Sequence, residues 1–133
     1  MTRVFADSFN FFALGNPRDK AHSKALAFNN SFSGQLYTTG WILMELGDGM
    51  VLPSQRPLFV RLAKQLRSDT DVLFIPCSDE LMNSGLELFE QRPDKEWSLT
   101  DCISFVVMKL EGLTEALTGD HHFEQAGFVA LLK

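Results

Sequence analysis

The sequence has 133 residues, 45% of them hydrophobic and 22% charged, with a formal charge of −5 and a mean hydropathy of −0.02. One domain spanning residues 1–133 accounts for that length, and the composition excludes a disordered tail, a collagen-like repeat and a disulfide scaffold. The acidic balance removes generic attraction to nucleic acid, but leaves room for carboxylates that act on it through bound metal ions.

In chain order, Arg3 to Ala6 reads as a short strand ending at Asp7, and Ser8 to Leu14 as a short helix. Gly15-Asn16-Pro17 is a turn. Ala21, Ala25 and Phe28 recur at helical spacing within Arg18 to Asn30. Gln35 to Thr38 is a second strand, and Thr39 or Gly40 opens an apolar helix, Trp41 to Leu46, expected to be buried nearly all round. A helix from about Leu58 to Arg67 is followed by a buried-type strand, Val72 to Ile75. Ser78-Asp79-Glu80 caps a helix to about Gln91, and Ser98-Leu99-Thr100-Asp101 opens a strongly apolar one through Leu110, ended by Gly112. Glu115 to Thr118 is a strand, Asp120 to Gln125 a short helix, and Phe128 to Leu132 a final strand. Short, continuous apolar strands alternating with helices predict a three-layer α/β/α sandwich around a parallel sheet of four or five strands.

No uncharged apolar run reaches the roughly 18 residues of a membrane helix. Asp7 and Asn10 interrupt any apolar leader core. A cytoplasmic protein is therefore expected, with Cys77 and Cys102 as buried free thiols.

Ligands bind parallel sheets outside the carboxyl ends of the strands, and acids stand at that edge here. Asp7 follows the first strand, Asp120 follows the strand Glu115 to Thr118, and Glu45 lies on the helix leaving the second strand. Asp101 lies in the first turn of the most apolar helix. Each has an ordinary reading: Asp7 and Asp120 as N-caps, and Asp101 as the acid of a capping box with Ser98. Glu45, flanked by Trp41-Ile42-Leu43-Met44 and Leu46, calls for a partner. At ~4 Å and an effective dielectric near 20, each like-charge pair costs about 4 kcal/mol. Such a cluster takes up protons or binds divalent metal, and all-oxygen ligands suit Mg²⁺ or Mn²⁺. Paired metals of this kind support phosphodiester hydrolysis.

Three motifs, V-F-A-D-S-F (4–9), W-S-L-T-D-C-I-S-F (97–105) and T-G-D-H-H-F-E-Q-A-G-F (118–128), resemble those of PIN-domain ribonucleases, specifically the VapC-like toxins of prokaryotic toxin–antitoxin pairs. The resemblance runs over essentially the whole chain. It implies a Mg²⁺- or Mn²⁺-dependent endoribonuclease acting on single-stranded or structured RNA, leaving a 5′-phosphate and a 3′-hydroxyl. It also implies that Asp7, Glu45, Asp101 and Asp120 form the family's acidic quartet, with Asp7 and Asp101 contacting metal most directly. Thr100 matches a hydroxyl that orients neighbouring carboxylates, and Ser8 is a second such candidate. A homodimer and a small antitoxin that blocks the acidic cleft are implied as partners. Gly119 departs from the family's pattern, standing where a small residue such as Ala is common.

Arg92 and Lys95, in the loop before the Asp101 helix, are candidates for phosphate contact. Arg61, Lys64 and Arg67 form either a basic ridge or a solvated helix face. His121 and His122 either order a metal-bound water or pack at a helix start beside Phe123. Trp41 and Trp97 either stack a base or fill the core. Two rival functions are a non-catalytic PIN-fold interaction protein, disfavoured by the intact quartet, and a phosphatase using Asp7 as nucleophile. The second lacks an acid beside Asp7, and its Lys109 is read as buried in the wrong register.

Overall fold

The computed structural model describes residues 2–133. Its sheet consists of β1 (Arg3–Ala6), β2 (Gln35–Thr39), β3 (Val72–Ile75), β4 (Glu115–Leu117) and β5 (Val129–Ala130). The strands lie in the order β3-β2-β1-β4-β5, and every neighbouring pair is parallel. The helices are α1 (Ser8–Gly15), α2 (His22–Ser31), α3 (Gly40–Gly49), α4 (Arg56–Ser68), α5 (Asp79–Gln91), α6 (Leu99–Leu110) and α7 (His121–Gln125). The expected α/β sandwich is present, with five strands. The chain lays down β1, β2 and β3 toward one edge, then returns to the other side of β1 for β4 and β5. The reversal puts a topological switch point between β1 and β4, where parallel sheets open a crevice at the strands' carboxyl ends.

Side-chain alternation along β1 builds the two faces. Val4 joins Ala13 of α1, Ala25 of α2, Leu117 and Leu132 in one buried cluster. Phe5 joins the larger cluster containing Ile103, Phe105 and Met108 of α6 and Phe123 of α7. There Phe105 meets Trp97 and Phe123 edge-on, with ring centroids 5.0 Å apart in each pair, the arrangement that the ring quadrupoles favour.

Where elements differ from expectation, local polar groups decide. The helix expected from Arg18 starts only at His22, because Asn16 Oδ1 accepts the Arg18 N–H and Asp19 Oδ1 accepts the Ala21 N–H. These side-chain turns compete with the first helical turn. The final strand is shorter than Phe128 to Leu132, although Leu131 and Leu132 still donate to Ala116 and Thr118 across β4. Helix α3 is buried on one side only: Trp41, Ile42 and Leu46 face inward while Met44 is 58% exposed. Cys77 is exposed rather than buried, since it lies beyond Pro76, past the end of the edge strand β3. Lys109 is likewise exposed rather than buried, on the outer face of α6's last turn. Both α6 and α7 end in Schellman turns: Leu113 donates to Met108 and Gly112 to Lys109, and Phe128 donates to Phe123 and Gly127 to Glu124. The φ of +68° at Gly112 and +95° at Gly127 explains glycine at both.

Helices α5 and α6 approach closely at Gly85, where an added Cβ would lie 2.3 Å from Ile103 Cγ1. Ile103 is β-branched and 1% exposed, so it has little freedom to yield. Gly85→Ala, which on an open helix would stabilise, is expected to destabilise this fold by about 1–3 kcal/mol in urea unfolding. A gain in stability would show that α5 and α6 are not in this contact.

Candidate active site

Asp7 is the first residue past β1 and is 7% exposed. The β1–β4 register pairs Phe5 with Ala116 and Ala6 with Leu117, so the next residues, Asp7 and Thr118, come face to face. The Thr118 hydroxyl donates to Asp7 Oδ2 at 2.8 Å and accepts the Asp120 N–H at 3.1 Å. Fully buried Thr118 thereby ties the first acid to the fourth. This residue was missed in the sequence; the signal lay in the two-residue alternation of β4 carried on into T-G-D.

The other acids reach the same edge by separate routes. Thr39 caps α3 by accepting the Ile42 N–H at 3.2 Å, and Thr38 donates to the Ala6 carbonyl at 3.0 Å. These bonds fix the helix that carries Glu45 against the end of β1, and Ser8 lies near enough to the Glu45 carboxylate to oppose its upward shift. Asp101 is held by the capping box: its N–H donates to Ser98 Oγ at 3.0 Å, and its Oδ2 accepts the Ser98 N–H at 3.1 Å. Asp120 caps α7, its Oδ1 accepting the His122 N–H at 2.9 Å. The cap readings of Asp101 and Asp120 therefore hold, and capping is what aims these carboxylates. Asp7 occupies the N-cap position of α1 but makes no side-chain cap hydrogen bond; its carboxylate is turned to Thr118 instead.

The four carboxylates feel one another. Burial first, then the charges of Glu45 and Asp101, push Asp7 up to about 7, against the lowering effect of the Thr118 hydrogen bond. Burial also raises Glu45, opposed by Ser8 and reinforced by Asp101 and Asp120. Asp101 is raised by burial and by Asp120, while the Ser98 N–H lowers it. His122 completes the cluster: its Nδ1 lies 3.3 Å from Asp101 Oδ2 and 3.3 Å from Asp120 Oδ1, yet this buried atom has no hydrogen-bond partner among the described residues. A set of hard carboxylate oxygens at a buried edge, one carboxyl raised chiefly by burial, with an orphaned imidazole nitrogen among them, fits a divalent cation. The donors of Asp120, His121 and His122 lie within 4.8 Å of one another.

The remaining candidates are placed as follows. Thr100 is half-buried in the first turn of α6, beside Asp101. Arg92 holds Asp94 through two bonds of 3.0 Å and lies over the Trp97 ring at 5.1 Å, while Lys95 is 3.8 Å from Asp94. Trp97 is 6% exposed with its Nε1 donating to Gln125, and Trp41 is 7% exposed, so both fill the core. Arg61, Lys64 and Arg67 lie on the solvated face of α4. Gly119 has a packing reason: an added Cβ would come within 2.5 Å of the Phe9 ring.

Asp7 gives a pH test. A carboxyl raised from 3.8 to about 7 binds more protons folded than unfolded. The metal-free fold therefore loses stability as pH rises from about 4 through about 7, by on the order of 4 kcal/mol in all. In EDTA, Asp7→Asn is expected to melt higher than the parent at pH 8, with the difference vanishing toward pH 4. A parent as stable as the variant at pH 8 would show that Asp7 carries no such penalty.

No protein-family model matches the chain. It is 28% identical over 128 residues, 95% of either chain, to the 23S rRNA-specific endonuclease VapC20 of Mycobacterium tuberculosis, in two strains. The crystal structure of that VapC20, described as a sarcin–ricin-loop-cleaving toxin, superposes with a TM-score of 0.85 over 95% of this chain and 96% of its own. FitAcB from Neisseria gonorrhoeae shares the fold at 16% identity, with a TM-score of 0.68 over 96% of this chain and 94% of its own. With the sheet order and the acidic edge already in place, the chain is similar in sequence and in fold to the VapC20 endonuclease over nearly its full length.

Proposed function

We propose that this chain is a divalent-metal-dependent endoribonuclease, the toxin of a toxin–antitoxin pair, acting on a structured ribosomal RNA segment of the sarcin–ricin type. The observation that carries the reading is the buried Asp7 carboxylate at the switch point, raised by burial and by the converging charges of Glu45 and Asp101. Asp7, Glu45, Asp101 and Asp120 would hold Mg²⁺ or Mn²⁺. The bound cation supplies charge neutralisation at the phosphate and a water of lowered pKa at neutral pH.

The chain's own groups do the rest. Thr118 fixes the rotamer of Asp7, and the Ser98 capping box fixes Asp101. In this reading Thr100 presents a hydroxyl beside Asp101 to orient the carboxylates. Helices α1 and α6 begin at this edge, so their positive dipole ends temper the carboxylate repulsion and favour an incoming phosphate. Arg92 and Lys95 would contact the RNA backbone, Arg92 exchanging its bidentate grip on Asp94 for a phosphate. Hydrolysis in line leaves a 5′-phosphate and a 3′-hydroxyl. A small antitoxin, a homodimer and a cytoplasmic site of action belong to the same reading, as does a single domain over residues 1–133. Among the described residues, no helix is long and apolar enough to cross a membrane.

The test is incubation of purified protein with ribosomes and with a synthetic sarcin–ricin-loop RNA, in Mg²⁺ or Mn²⁺ and in EDTA. Cutting within the loop that needs the cation is expected, and Asp101→Asn should reduce it by roughly 100-fold or more. The amide oxygen can still accept the Ser98 N–H, so the variant keeps its helix cap. Cation-independent cutting, or full activity in Asp101→Asn, would overturn the proposal.

A further inference from the structure

The acidic quartet accounts for every carboxylate at the switch point but leaves His122 unexplained. Its side chain is 20% exposed, and its Nδ1 is buried without a hydrogen bond, which ordinarily costs about 1–3 kcal/mol. The nitrogen is no stray: it sits 3.3 Å from a carboxylate oxygen of Asp101 and 3.3 Å from one of Asp120. The backbone holds the ring there, since the His122 N–H donates to Asp120 Oδ1 and the next residue, Phe123, is fully buried. Donor atoms in adjacent octahedral positions around an ion with bonds of about 2.1 Å lie about 3 Å apart. The nitrogen lies near that range from each of the two oxygens.

We propose that His122 Nδ1 is a ligand of the bound divalent cation, joining Asp101 and Asp120, so that the site favours Mn²⁺ over Mg²⁺. The inference rests on the metal-dependent reading above and adds to it a nitrogen donor. Imidazole suits transition ions, whereas Mg²⁺ takes oxygen and parts reluctantly from its waters. His121 is not the ligand: its side chain is 63% exposed and its Nδ1 lies 3.7 Å from Asp120. His22 is spoken for by the Ala13 carbonyl, 2.8 Å from its Nδ1.

The decisive probe is Mn²⁺ alone, added to the intact protein and read by electron spin-echo envelope modulation, with affinities from calorimetry. The wild-type spectrum should carry a directly bound ¹⁴N coupling that survives in His121→Gln and disappears in His122→Asn. The asparagine offers an oxygen near the Nδ1 position, so that variant should still bind, with Mn²⁺ affinity reduced roughly 10-fold or more and Mg²⁺ affinity changed less. Melting curves in EDTA establish that each variant is folded, and the wild-type spectrum decides the matter without any variant. Mn²⁺ binding that Asp101→Asn removes, but without a nitrogen coupling, would overturn the role of His122 and leave the metal-dependent reading standing. A coupling that belongs to His121 would also overturn it. Failure to bind Mn²⁺, or binding indifferent to Asp101→Asn, would overturn both.

Discussion

Burial of Asp7, Glu45 and Asp101 at one edge, with Asp120 beside them, is the constraint to which the rest of this structure answers. Taking these carboxylates out of water is costly and their like charges add to that cost, and the fold meets it in three ways. It places donors on three of the acids: Thr118 on Asp7, the Ser98 N–H on Asp101 and the His122 N–H on Asp120. It points helix N-termini at them. It leaves Asp7 raised to about 7, poised between taking a proton and taking a cation. The protein invests stability in a site that only a positive partner relieves, a common arrangement where function sets the local structure.

The parallel sheet makes this convergence possible. Because β1 lies between β2 and β4, residues far apart in sequence leave the sheet side by side: Asp7 and Thr118 are 111 positions apart and share a hydrogen bond. Asp101 arrives on the helix that precedes β4, and Asp120 on the turn that follows it. The aromatic packing of Phe5, Phe105 and Phe123 beneath them anchors β1, α6 and α7 to one another. The carboxylates therefore stand on a rigid floor, as a site that must hold a cation in fixed geometry requires.

Much of this was legible in the sequence. The continuous apolar run Val72 to Ile75 was legible as a strand, though at the sheet edge its residues are half-buried rather than buried, and Ser98-x-x-Asp101 announced a capping box that the structure reproduces atom for atom. Asp7, Asp101 and Asp120 were legible because each follows a strand or opens a helix, and Glu45 because it interrupts an apolar helix, features that chain order alone reveals. What pairwise side-chain geometry decides was hidden. Nothing in the spacing says that Thr118 reaches Asp7, that Phe9 fills the space beside Gly119, or that the His122 nitrogen is left between two carboxylates. The exposure of Cys77 and Lys109 was misjudged for the same reason: apolar neighbours in sequence do not tell which side of an element faces water. Arg92 and Lys95 stand in the expected loop, with Asp94 already between them.

Metal binding and proton release should be two sides of one event here. The most direct measurement is calorimetric titration of Mn²⁺ into the protein at pH 6.5 in buffers of different ionisation enthalpy, which counts the protons displaced. The buried cluster predicts release of a substantial fraction of one proton per site, a release that Asp7→Asn reduces. Binding without proton release, or release unchanged in Asp7→Asn, would contradict a cation site built on the buried Asp7 carboxyl.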